Sequence, residues 1–191
     1  FGYEEFHAGS VTIENGADPT FTEVIFMNNQ SGGSSEIFFS DGGAVKVSEA
    51  KGKFINCVFR ENLVVAFNEN ESESSSARGG AISINYASSE DHVTIINRCQ
   101  FINNQVWSTN QAVGSAISVL YAQADITNNL VLYNKSMTDH ENDGHNQGSI
   151  YYEGPFYHDA QGAPRGVSIP RYIANNTIID NYAQSNSDNF A

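Results

Sequence analysis

Two short motifs alternate along almost the whole chain, and no other property of the sequence restricts the fold as much. The first is an apolar residue, two variable residues, then Asn. It occurs as Phe26-Met27-Asn28-Asn29, Phe59-Arg60-Glu61-Asn62 and Phe101-Ile102-Asn103-Asn104, with looser copies at Val131-Leu132-Tyr133-Asn134 and Ile178-Ile179-Asp180-Asn181. Successive Asn residues lie 33, 42, 30 and 47 positions apart. The second motif falls between copies of the first: Gly42-Gly43-Ala44-Val45-Lys46-Val47, Gly79-Gly80-Ala81-Ile82-Ser83-Ile84, Gly114-Ser115-Ala116-Ile117-Ser118-Val119 and, more loosely, Gly148-Ser149-Ile150-Tyr151-Tyr152. Strict alternation of two motifs marks a stacked repeat.

Each motif has a physical reading. Small residues followed by alternating Val or Ile describe a strand that leaves a tight turn, with Gly supplying backbone angles other residues resist. The segments before the Asn, such as Phe54-Ile55-Asn56-Cys57-Val58-Phe59, also read as strands. The Asn itself is expected to take a left-handed conformation and to bond through its amide. Stacked about 4.8 Å apart, such residues form a hydrogen-bonded ladder. The expected fold is therefore all-β, a right-handed parallel β-helix of about five rungs. Asn29, Asn62, Asn104, Asn134 and Asn181 should form one column, with Phe26, Phe59, Phe101, Val131 and Ile178 buried in another. Insertions at 30–41, 63–78, 105–113, 135–147 and 153–166 are polar and can bulge from single rungs, because each rung touches only its neighbours. A propeller needs longer, more even periods. A sandwich would not repeat two motifs in alternation, and leucine-rich repeats would show Leu.

Residues 1–191 read as one β-helix domain. No amphipathic cap precedes the first repeat, and residues 185–191 stop where another Gly-rich turn is expected. Adjoining rungs of a longer repeat protein, or a partner subunit, are therefore expected to complete the coil. With 22 acidic and nine basic residues the formal charge is -13, which disfavours nucleic acid as a partner. Hydrophobic residues make up 40% of the chain, enough for a core. No apolar run approaches the about 18 residues of a membrane span, so no membrane insertion is expected.

The Gly-Gly-Ala-Ile and Phe-x-x-Asn pair resembles that of the chlamydial polymorphic membrane proteins and, more widely, bacterial right-handed β-helix repeat proteins of the pectate-lyase-like fold. Asn175-Asn176-Thr177-Ile178-Ile179-Asp180-Asn181 is similar in tone to large secreted bacterial repeat proteins. The resemblance spans roughly residues 20 to 185 and concerns the coil rather than a chemistry. It implies a secreted or cell-surface module, an adhesin, structural or glycan-binding segment whose partner is a polysaccharide or a cell-surface protein. The same fold also carries polysaccharide lyases and glycoside hydrolases, which is the alternative.

Candidate sites are few. Trp107 follows an Asn turn, where a loop Trp can contact a sugar or a protein. Tyr151-Tyr152-Glu153-Gly154-Pro155-Phe156-Tyr157-His158-Asp159 is the densest aromatic stretch. Tyr152, Phe156 and Tyr157 offer ring faces there, and Glu153 and His158 offer polar contacts, or else the rings fill the coil. Asp139, Glu141 and Asp143 alternate before Gly144 like the front half of a calcium loop. The twelfth position is Ile150 rather than Glu, so a solvated acidic loop stands beside the calcium reading, and no cofactor is required. Cys57 and Cys99 hold equivalent positions two residues before a Phe, either as stacked thiols or as a disulfide between rungs. A carboxylate pair such as Glu153 and Asp159 could be drawn for hydrolysis, but nothing forms a catalytic constellation. Four glycosylation sequons begin at Asn29, Asn70, Asn134 and Asn175; a glycan on Asn29 or Asn134 would clash with the ladder.

Overall fold

The computed structural model describes residues 7–33, 39–68, 75–86, 91–139, 146–154, 156–158, 164–166 and 171–185. Every regular element in them is a strand. The strands stack into five parallel sheets of five strands each, one strand per coil, which is a right-handed parallel β-helix. Each coil visits the sheets in the same order. The first face holds His7–Ala8, Phe39–Asp41, Ser76–Arg78, Gln111–Val113 and Asn146–Gln147. The second holds Val11–Glu14, Val45–Ser48, Ile82–Asn85, Ile117–Leu120 and Ile150–Glu153. The third holds Thr20–Thr22, Lys53–Ile55, Val93–Asn97, Gln123–Thr127 and Ile173–Ala174. The fourth holds Ile25–Met27, Val58–Arg60, Gln100–Ile102, Leu130–Leu132 and Thr177–Ile179. The fifth holds Gln30–Gly32, Leu63–Ala66, Gln105–Ser108, Lys135–Thr138 and Tyr182–Ser185. Phe156–His158 and Pro164–Gly166 form a separate antiparallel ribbon in the last coil.

Two cores result. The larger lies between the second, third and fourth faces. Phe26, Phe59 and Phe101 stack there with ring centroids 4.8 and 4.9 Å apart and planes within 3°. Phe21 and Phe54 form a second stack at 5.2 Å, and the two stacks meet edge to face. The first column continues in register through Val131 to Ile178, but Ile178 is 52% exposed, so the expected burial holds for four of its members and fails at the fifth. Ile178 sits on the last coil, and no described coil stacks over it. The smaller core, Val64, Ala66, Ala77, Val106 and Ala112, is pressed between the fifth and first faces. The cross-section is thus a wide lobe with a thin two-sheet flange.

The double glycine belongs to the waist between these lobes. Gly42, Gly79 and Gly114 have φ of 60°, 65° and 64°, as the turn requires. The second glycine has a different task. A Cβ on Gly43 would lie 3.0 Å from the backbone N and O of Leu63 and 2.1 Å from the carbonyl of Gly80. At Gly43 the turn onto the second face therefore leans on the start of the fifth, whereas two coils further on the equivalent position is the buried Ser115.

The Asn ladder is present at the corner between the fourth and fifth faces. Each Nδ2 donates to the Oδ1 of the next Asn at 2.8–2.9 Å, from Asn29 through Asn62, Asn104 and Asn134 to Asn181. Asn29 Oδ1 accepts from the Ser10 hydroxyl. The left-handed residue, however, is the one before the ladder: Asn28, Glu61, Asn103, Tyr133 and Asp180 have φ between 50° and 56°. The bend is made one position early, so that the Asn side chain can turn inward and bond between coils.

A second corner works the same way. Between the third and fourth faces the left-handed residues are Glu23, Asn56, Arg98, Asn128 and Asn175, followed by Val24, Cys57, Cys99, Asn129 and Asn176. Asn129 and Asn176 make a short ladder of their own, Nδ2 to Oδ1 at 3.0 Å. Cys99 and Cys57 occupy the same column as free thiols. Their Sγ atoms donate to Phe54 O at 3.3 Å and Phe21 O at 3.4 Å, where Asn129 and Asn176 use amides on Ile96 O and Ile126 O. Burial pushes the Cys99 thiol up from 9.0 to about 12. Its thiolate is therefore favoured only in the unfolded chain, and stability held below pH 9 should fall as pH rises from 9 towards 12. Both thiols should ignore a disulfide reagent at pH 8 and react in denaturant; rapid labelling of the folded chain would contradict this burial.

Candidate ligand groove on the fifth face

Alternation along Gln105–Ser108 buries Val106 and Ser108 and turns Gln105 and Trp107 outward. Register places Trp107 between Val65 on one coil and Met137 on the next, so its ring stands on a three-coil column at the middle of the sheet. Trp107 remains 38% exposed. Phe67, just beyond the strand end of the neighbouring coil, lies 6.3 Å from it, with the ring planes at 49°. Together they wall an open groove of about 470 Å³, floored by Leu63 and Val65 and edged by Gln30 and Gly33. The Trp107 indole N–H donates to Asp139 Oδ1 at 3.4 Å. Further along the face, the Lys135 ammonium lies 5.6 Å from the centroid of the Tyr182 ring. Apolar walls with a few polar edges on a rigid sheet are what small-ligand sites commonly share.

The fourth face continues this surface. Its outward positions include Ile25, which is 67% exposed, with Met27 and Ile179 exposed and Val58, Ile102, Leu130 and Leu132 half-buried. An outer sheet surface this apolar is the kind that marks an interaction site.

The residues singled out from the sequence are distributed over three places. Trp107 walls the groove, and Asp139, on the coil beyond Trp107 and not among the groove's lining residues, accepts from its indole N–H. Glu141 and Asp143 lie outside the described residues, and among the described residues no group of His, Cys, Asp and Glu could hold a metal ion. Tyr152 is on the second face and packs inward against the larger core, its hydroxyl accepting from the Ala124 N–H at 3.3 Å. Glu153 points to the other side of that strand and accepts from the Tyr151 hydroxyl at 2.5 Å. Phe156, Tyr157 and His158 form one strand of the antiparallel ribbon, and their side chains are outside the described set. The groove also contains Gln30, Leu63, Val65 and Phe67, which sequence inspection did not single out. Their signal was available only through register: Val64 and Ala66 fill the smaller core, and strand alternation then turns Leu63 and Val65 to the outer surface.

No family model, curated protein or solved structure matches the chain. Among the described residues no helix is long and apolar enough to cross a membrane.

Proposed function

We propose that the chain is an extracellular or cell-surface adhesive module that binds a glycan in the Trp107 groove, without turning it over. The observation that supports this reading is the exposed Trp107 ring, fixed by the sheet and paired with Phe67 over a groove of about 470 Å³. The apolar faces of a pyranose pack on aromatic rings, while its hydroxyls suit Gln30 at the groove's edge and Gln105, paired with Leu63 of its floor. The volume falls within the range usual for small-ligand sites, about 300–1,000 Å³. The neighbouring apolar fourth face would add contact with a larger surface.

Trp107 is the chain's single Trp, so its fluorescence reports this groove alone. Titration with neutral oligosaccharides should give a saturable change in emission. Phe67→Ala should weaken binding about tenfold, the loss of one aromatic contact. Trp107→Ala, followed by calorimetry, should remove it. A flat titration, or full affinity in Phe67→Ala, would sink the proposal. New reducing ends or unsaturated products in the same mixtures would favour a hydrolase or lyase instead.

A further inference from the structure

A second cluster of aromatic side chains lies away from the groove, on the corner after the second face. Tyr86 and Tyr121 occupy equivalent positions on consecutive coils, with ring centroids 5.9 Å apart and planes at 38°. Both are exposed, by 47% and 36%. Both have positive φ, 54° and 50°, a conformation that bulky side chains rarely adopt. The corner thus holds two large rings at the solvent edge where Asn or Gly would relax the backbone.

Beside them is Glu153. Its carboxylate accepts from the Tyr151 hydroxyl at 2.5 Å, and its backbone carbonyl accepts from the Tyr121 N–H at 3.0 Å, which sets the two residues side by side on adjacent coils. Desolvation, with Glu153 next, pushes the Tyr151 phenol up to about 12, while Glu153 is the main cause of the rise at Tyr121. Among the described residues Glu153 makes no ion pair. The nearby cation, Arg78, is engaged on the first face, where its Nε donates to Ser76 and its guanidinium lies 5.7 Å from the Phe39 centroid. A carboxylate held by one phenol, without a partner cation and next to exposed electron-rich rings, has the chemistry of an organic-cation site. The chain's charge of -13 raises the local concentration of such cations.

We propose that Tyr86, Tyr121 and Glu153 bind an alkylammonium group, namely the protonated amine of an amino sugar. The choice of an amino sugar rests on the glycan-binding reading above; the ammonium site itself stands on this corner alone. Two arms separate them. In the first, tyrosine ring resonances are followed while propylammonium chloride or propanol is added. Propylammonium should give saturable shifts at Tyr86 and Tyr121, and propanol none. Glu153→Gln should weaken the effect at least tenfold, and Tyr86→Leu, which keeps a side chain of similar bulk, should also weaken it. Equal response to propanol, no response, or an unchanged response in Glu153→Gln would overturn the site. In the second arm, a glucosamine oligomer should bind at least tenfold more tightly than its N-acetylated counterpart, and Glu153→Gln should erase the difference. A preference that survives Glu153→Gln would overturn the amino-sugar assignment and leave the overall charge as its cause. Propylammonium binding with neither oligomer bound would keep the ammonium site, overturn the amino-sugar assignment and count against the glycan reading.

Discussion

Phe59→Ala should destabilise the chain by about 4 kcal/mol, near the middle of the range for a buried Phe truncated to Ala. Phe59 is fully buried and is the middle ring of three, so its removal strips the stacking surface from Phe26 and Phe101 together. It also removes the edge that Phe54 meets at 5.8 Å. Adjacent strands hydrogen-bonded in register cannot slide inward to fill the gap, so most of the cavity should persist. Denaturant titration should show a lower midpoint with little change in slope. A loss under about 1.5 kcal/mol would mean that the Phe column is not the packed core of the coil.

Asn104→Ala should cost about 3 kcal/mol although it removes few atoms. Asn104 is fully buried. Its Oδ1 accepts from the N–H and Nδ2 of Asn62, and its Nδ2 donates to Asn134 Oδ1 and Phe59 O. Truncation strands several buried polar groups on the two flanking coils, and each such group costs about 1–3 kcal/mol unless water reaches it. Asn103→Ala, one position earlier, should be much milder, because Asn103 is exposed and only its left-handed φ of 54° is at stake. Equal effects from the two substitutions would show that the corner, rather than the ladder, holds the coils together.

These two positions also show what a sequence of this kind reveals. Phe59 and Asn104 recur as the same residue on neighbouring coils, and the coil and its ladder can be read from that identity. Recurrence fails where chemistry substitutes for identity. Cys57, Cys99, Asn129 and Asn176 perform one task, donating to a carbonyl of the preceding coil, yet a thiol and an amide do not look alike in a sequence. The second glycine of each pair was legible as a turn residue, but its reason, the approach of Gly43 to Leu63, depends on a chain returning from the far side of the coil. The groove was harder still. Trp107 stood out as the single Trp, whereas Gln30, Leu63 and Phe67 join it only once three coils are placed in register. Tyr152 could have been assigned inward by counting in twos, as with Val119 one coil earlier.

The stacking direction has a mechanical consequence. Hydrogen bonds between coils run along the long axis, so a pull along that axis loads the coils in series. Coils should then peel one at a time instead of shearing together. Their lengths differ: successive ladder residues are separated by 33, 42, 30 and 47 residues. At about 3.4 Å per extended residue, each detachment releases on the order of 100 to 160 Å of slack. The polar insertions that make the repeat irregular thereby set how far the chain lengthens at each step under tension.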